Sequence, residues 1–271
     1  FLPYKWLDQY SLSRYKFKRL NLNTDLKDIC KLIDKYEITH IINFAAQGMV
    51  SESWKNPLDW YQTNLMAQIA FHDELRKRKQ IEKYVHFTTP EVYGDTKNKW
   101  IIENNYFQPS TPYAVSRAAC DLHLQSFFKA YEFPVVFTRA ANVYGPGQQL
   151  YRVIPRTILS CISDKKFYLH GDGISERSFI HIKDTIEATI KIAQEGNPGE
   201  CFHISTNQTI SIKGLVVKIC KYLDVSFDDI VVTTDERLGK DQSYFLNSSK
   251  LREKFKWKES YSLDEGLKET V

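Results

Sequence analysis

Short runs of apolar and β-branched residues at 15–20, 39–44, 83–88 and 135–140 alternate with longer stretches of helical spacing at 25–36, 58–78 and 114–131. Six-residue apolar runs that each lead through a turn into a helix predict a parallel sheet, because a parallel connection needs a crossover long enough to hold a helix. Right-handed crossovers then cover the sheet with helices on both faces.

Past Arg139 the texture changes. Glycine and proline punctuate Tyr144-Gly145-Pro146-Gly147, strand-like pieces follow at 166–170 and 200–204, and helical patterns run over 184–195 and 212–223. The expectation is an α/β fold in which residues 1–142 form the main doubly wound domain. Residues 143–271 then form mainly a smaller lobe, with some segments returning to the first domain. No internal repeat or low-complexity linker separates the two parts.

Composition narrows the class. The 271 residues are 42% hydrophobic and 26% charged, which is far from a disordered chain, and no apolar run reaches the length needed to cross a bilayer. The net charge of +4 is spread along the chain, so nothing points to nucleic acid. The run Arg76-Lys77-Arg78-Lys79 reads as a solvated helix end. Five cysteines (Cys30, Cys120, Cys161, Cys201, Cys220) lie far apart in sequence, with no Cys-x-x-Cys and no Cys beside a His at metal-ligand spacing. They read as free thiols of a cytoplasmic protein, with neither disulfide nor metal expected. The first residues carry no apolar core with a small-residue cleavage site, so no export signal is expected.

The chemistry gathers in a few stretches. Tyr113-Ala114-Val115-Ser116-Arg117 follows Thr111-Pro112 at a helix start and sets a phenol and a cation four residues apart on one face. A cation there can lower the phenol's pKa so that it accepts a proton. Thr88-Thr89-Pro90-Glu91-Val92-Tyr93-Gly94 ends an apolar strand, where open α/β sheets collect their ligands, and it offers a hydroxyl and a carboxylate. Tyr93, Tyr144 and His181 read as packing residues and Asp184 as a helix N-cap.

Taken in order, NFAAQ, TTPEVYG, PYAVSR, RAANVYGPG, RSFIHIKD and ERLGKDQSYFLNSSKL resemble the extended short-chain dehydrogenase/reductase family of nucleotide-sugar epimerases and dehydratases. The likeness spans essentially the whole chain, and TTPEVYG with RLGKD-x-x-Y is most similar to the 4,6-dehydratases. It implies a Rossmann-like fold, NAD in preference to NADP, a nucleotide-diphosphate sugar as substrate and a homodimer built on helices 58–78 and 114–131. It further implies Tyr113 as the base at the sugar C4 hydroxyl, Thr89 as that hydroxyl's partner, Glu91 as the acceptor of the C5 proton and Arg117 at the nicotinamide ribose. Asn21, Leu22, Phe44, Ala45, Ala46 and Asn64 would contact the cofactor together with Tyr113 and Arg117. Asn142, Arg152, His170, Arg177 and Arg237 would hold the nucleotide, with Thr89 and Glu91 at the sugar.

Four features depart from the family's pattern. Arg117 stands where the family has lysine, Pro90 where many 4,6-dehydratases have aspartate, and Asn21 where aspartate is usual beside the adenine. No glycine-rich phosphate turn occurs before Gly48, so the chain is expected to begin after the first βαβ unit. Because Pro90 has no proton to give, protonating the leaving C6 oxygen falls to Glu91, to water or to no group at all. A 4-epimerase, a uronic-acid decarboxylase and a non-catalytic nucleotide-sugar-binding relative remain alternatives to the dehydratase.

Overall fold

The computed structural model describes residues 15–271 apart from 164, 237 and 240. In chain order the first half contains α1 (Leu26–Lys35), β1 (His40–Asn43), α2 (Pro57–Tyr61), a π turn (Gln62–Met66), α3 (Ala67–Leu75), β2 (Lys83–Thr88), β3 (Trp100–Ile101), α4 (Pro112–Tyr131) and β4 (Val135–Ala140). Next come β5 (Asn142–Tyr144), α5 (Val153–Ile162), β6 (Phe167–His170), β7 (Glu176–Arg177), β8 (Phe179–His181) and α6 (Ile182–Glu195). The chain ends with β9 (Cys201–Ile204), β10 (Ile210–Ser211), α7 (Ile212–Tyr222), α8 (Phe227–Ile230), β11 (Val231–Thr234), β12 (Phe245–Leu246), α9 (Ser249–Phe255) and α10 (Leu263–Thr270).

The main sheet is wholly parallel, in the order β1-β2-β4-β9, as the alternation of runs predicts. Successive side chains of a strand face opposite ways, so each strand feeds two cores. Val85, Val136, Phe202 and Ile204 pack with Ile192 of α6 and with Leu251 and Phe255 of α9. Tyr84, Val135 and Phe137 pack on the other face with Ile33 of α1, Phe71 and Leu75 of α3, and Cys120 and Leu124 of α4. Helices therefore cover both faces.

Strands from beyond residue 142 complete this body, since β9 lies against β4 and β12 pairs with β3. The remaining pairs, β5 with β8, β6 with β11 and β7 with β10, build the smaller layer around Tyr144, Ile154, Leu215 and Leu267.

Two expectations fail here. Residues 15–20 run as exposed irregular chain: a strand exists only as part of a ladder, and among the described residues the sheet ends at β1. Asp184 does not cap α6. It sits inside the first turn, buried, where its carboxylate accepts from the backbone N–H groups of Ser260 (2.8 Å) and Tyr261 (3.2 Å).

Candidate active site

Two short local rules place the central side chains. Thr111 caps α4, its Oγ accepting from the Ala114 N–H at 3.1 Å, with Pro112 at the first helical position. Tyr113 thus falls in the first turn, beside the carboxyl end of the sheet. Thr89 does the same for the 3₁₀ turn Pro90–Tyr93, its Oγ accepting from the Glu91 N–H at 3.3 Å. Pro90 therefore starts a turn, where its fixed φ is an asset, and it brings no proton. Gly94 closes the turn at φ 68°, where a side chain would run into the Gln108 carbonyl.

These ends open onto a cleft of about 1140 Å³ lined by Thr89, Glu91, Tyr113, Arg117, Asn142, Arg152, His170, Arg177, Asp241 and Tyr244 among others. Phe44 and Ala46 lie on its wall, Phe44 against Phe87 with ring centroids 4.6 Å apart. A second pocket of about 580 Å³ is lined by Leu20, Asn21, Leu22, Ala45, Ala46 and Gln68. Ala46 borders both, so the two spaces adjoin. Of the residues named from sequence, Asn21, Leu22 and Ala45 gather at the smaller pocket, Ala46 at both, and Phe44, Thr89, Glu91, Tyr113, Arg117, Asn142, Arg152, His170 and Arg177 at the cleft. Arg237 lies outside the described residues.

Electrostatics set the site's chemistry. Burial pushes the Glu91 carboxyl up to about 7. The cations of Arg177 and Arg152 pull it down and Asp241 adds to the rise. Tyr113 also sits above its usual value, because burial outweighs the Arg117 cation, and a hydrogen bond with Thr89 pulls the other way. Arg117 acts in the expected direction, lowering the phenol, but burial sets the net value above the usual one. Arg117 is buried at 2% exposure, and one of its terminal nitrogens donates to the Phe87 carbonyl.

Two other expected contacts are reshaped. Asn64 is fully buried in the π turn and lines neither pocket. Its Oδ1 accepts from Gln47 N at 2.7 Å, and its Nδ2 donates to Gln47 O at 3.0 Å and Ser116 Oγ at 3.1 Å. It shapes the loop after β1 with side-chain capacity that is already used. Arg177 donates through Nη1 to the carbonyls of Glu176 and Gln242, both at 2.8 Å, and through Nη2 to Asp241 at 2.7 Å. A guanidinium has five N–H donors, and three of these are spent on backbone carbonyls. Arg152, exposed at the start of α5, and His170, whose Nδ1 lies 3.0 Å from Thr234 Oγ, remain on the cleft wall.

Asp241 and Tyr244 were not assigned from sequence. Both stand on the cleft wall, Asp241 with its carboxyl raised first by burial, and Tyr244 beneath the Arg177 guanidinium at 4.1 Å. The signal was present in RLGKD-x-x-Y, of which they are the last two fixed members.

Residues 5–270 match the family model described as GDP-mannose 4,6 dehydratase. A dTDP-D-glucose 4,6-dehydratase of Mus musculus is 32% identical over 260 residues, covering 90% of this chain and 71% of that protein. Its Bos taurus counterpart is 31% identical over 255 residues with the same coverage. Among solved structures, the dTDP-glucose 4,6-dehydratase DesIV from Streptomyces venezuelae superposes with a TM-score of 0.91 at 24% identity, covering 97% of this chain and 81% of that one, a likeness of fold. The Bacillus anthracis dTDP-glucose 4,6-dehydratase in complex with NAD gives 0.86 at 27% identity over 97% of this chain and 82% of that one. The chain belongs to the GDP-mannose 4,6 dehydratase family, within the extended short-chain dehydrogenase/reductases that act on nucleotide-sugars.

Proposed function

We propose that this chain is an NAD-dependent nucleotide-sugar 4,6-dehydratase that converts a nucleotide-diphosphate hexose into its 4-keto-6-deoxy form. The observation that carries the reading is Glu91: a carboxyl poised near neutrality beside Thr89 and Tyr113 in the cleft. Such a group can take a proton and return it within one turnover.

The two adjoining cavities fit a dinucleotide, with apolar Leu20 and Leu22 and polar Asn21 and Gln68 around the smaller space and Tyr113 and Arg117 in the larger. When bound, NAD supplies the acceptor for the C4 hydride and the hydride returned to C6. Tyr113 takes the proton of the C4 hydroxyl, which Thr89 holds. With C4 a ketone the C5 proton is acidic, and Glu91 takes it. The same carboxyl then protonates the C6 oxygen as it leaves, the role that Pro90 cannot fill; as the hydride returns to C6, C5 takes back a proton drawn from solvent, and Tyr113 gives up to solvent the one it took from the C4 hydroxyl. Arg152, Arg177, Asn142 and His170 bind the nucleotide end, and Arg152 and Arg177 keep Glu91 partly ionised.

We read the active species as a cytoplasmic homodimer. The exposed apolar residues Val115 and Leu122 of α4 and Leu58 and Met66 of the α2 and π-turn segment support the second part, and the free thiols support the first. No helix among the described residues is long and apolar enough to cross a membrane.

Mass spectrometry of incubations with UDP-, dTDP-, GDP- and CDP-hexoses tests the proposal. Loss of one water from one of them supports it. An unchanged mass with a new sugar stereoisomer moves the chain to the epimerases.

A further inference from the structure

Beneath the cofactor side of the cleft, between α3, β2 and α4, lies a polar cluster that the dehydratase chemistry does not use. His72, His86 and Cys120 are 0%, 1% and 0% exposed, and their ligand-type atoms all lie within 4.8 Å of one another. Phe71, Phe133 and Phe137 pack in the same core, His123 stacks on His72 with ring centroids 5.5 Å apart, and the buried charges of Arg117, Arg139 and Asp121 lie nearby.

The His72 ring is held at one nitrogen and free at the other, and neither nitrogen of His86 has a hydrogen-bond partner. His72 Nε2 meets Tyr84 Oη at 2.8 Å, and Tyr84 is itself fixed by Asn43 Nδ2 at 2.6 Å, while His72 Nδ1 has no hydrogen-bond partner. His86 Nε2 lies 3.3 Å from Asp121 Oδ1, without the alignment of a hydrogen bond, and its Nδ1 is also unpartnered. A buried polar atom without a partner costs about 1–3 kcal/mol, and this cluster leaves one on His72 and two on His86, close to a thiol. A hydroxyl hydrogen-bonded behind His72 is the kind of contact that orients a metal-binding histidine, and the Asp121 carboxylate stands within 3.3 Å of His86 to play the same part.

We propose that His72, His86 and Cys120 form a structural binding site for a soft d¹⁰ cation, Cu(I) or Zn(II), held by two imidazole nitrogens and one thiolate. Metal–nitrogen and metal–sulfur bonds of about 2.0–2.3 Å set donors roughly 3.5–4 Å apart, so the trio has to close by about 1 Å. Three protein donors favour Cu(I), because structural Zn(II) is almost always four-coordinate. Charge favours it too: Cu(I) with a thiolate is neutral, whereas Zn(II) with one thiolate would add a positive charge beside the buried Arg117 cation, the Arg139–Asp121 pair (2.7 Å) being balanced in itself. Uptake breaks the Cys120 S–H bond, forms the metal–sulfur bond and releases one proton to solvent, with no change of oxidation state. The bound ion ties α3 and β2 to the helix that carries Tyr113.

Because the site is closed, the metal has to enter during folding. The full chain is unfolded under reductant and refolded anaerobically with Cu(I) or with Zn(II). It is then passed over a weak chelator and assayed for metal and for thermal stability. Cys161 and Cys220, with sulfurs 4.0 Å apart, could also take metal, so the Cys161→Ser/Cys220→Ser variant serves as the background. The expected result is one equivalent of one of the two ions in both the natural chain and that background, with a rise in Tm. That equivalent disappears in Cys120→Ser and in His72→Leu. X-ray absorption of the loaded natural chain, showing one sulfur and two nitrogen neighbours, identifies the same ligand set even if those variants fail to fold. Absence of a stoichiometric equivalent of either ion, or its retention in Cys120→Ser, overturns the site.

Discussion

The guanidinium of Arg117 donates to the backbone carbonyl of Phe87 and so ties the first turns of α4 to the end of β2, two residues before Thr89. The contact explains how an arginine is accommodated at this place. Its fork reaches the strand, and its charge still acts on Tyr113 from behind.

Lysine is a compact point charge without that fork. Arg117→Lys is expected to keep turnover within about tenfold, since the charge beside Tyr113 remains. Arg117→Met removes the charge, so the Tyr113 phenol rises further and the limb of the rate profile that reports it moves to higher pH. Steady-state rates across pH for both variants check this, and equal profiles for the natural enzyme and Arg117→Met contradict it.

Glu91 links stability to pH in a defined direction. Its folded-state pKa of about 7 is above the ordinary 4.5, so burying the ionised form opposes folding. That penalty is absent below the unfolded value, grows through the interval and is complete above pH 7. Glu91→Gln is therefore expected to be more stable than the natural chain at pH 8, by roughly 1–3 kcal/mol, and nearly equal to it at pH 4. Urea unfolding at the two pH values measures the difference.

Arg177 lowers the Glu91 pKa and also braces the backbone at 241–242. Arg177→Met should shift the acid limb of the dehydration rate to higher pH, because less carboxylate is then present at neutrality. A variant that loses rate equally at every pH would show that Arg177 acts by bracing or by binding alone.

The Thr111 cap sets the position of Tyr113. Thr111→Ala should lose about 1 kcal/mol, a fall in Tm of about 2–4 °C for a chain of this size. It should lower turnover more than it raises KM, since the phenol is what moves. Thr111→Ser, which keeps the oxygen, should restore both.

Much of the fold is legible in the amino-acid order. Strands at 83–88 and 135–140 emerge with the bounds read from their apolar runs, because both are buried on two faces and flanked by turns. Thr111-Pro112 announces the helix start that holds Tyr113, whereas the cap that Thr89 makes for the turn holding Glu91 emerges only in the fold. What escapes is non-local. Strands of two to four residues, such as Trp100–Ile101 against Phe245–Leu246, have too little sequence to show a period. Residues 15–20 have the composition of a strand without a neighbouring ladder among the described residues. Whether Asn64 or Arg177 has donors to spare depends on Gln47, Ser116 and Gln242, which only the fold brings near. The same holds for His72, His86 and Cys120, which come from three separate elements and carry no spacing signature.

In the proposed dehydration, Glu91 alone both takes the C5 proton and delivers it to the leaving oxygen. A single turnover of Glu91→Gln with the accepted nucleotide-hexose, followed at once by cofactor absorbance and by product mass, tests this directly. C4 oxidation is expected to proceed, reduced cofactor to accumulate and water loss to slow by about 10²–10⁴; water loss at the natural rate would contradict the role given to Glu91.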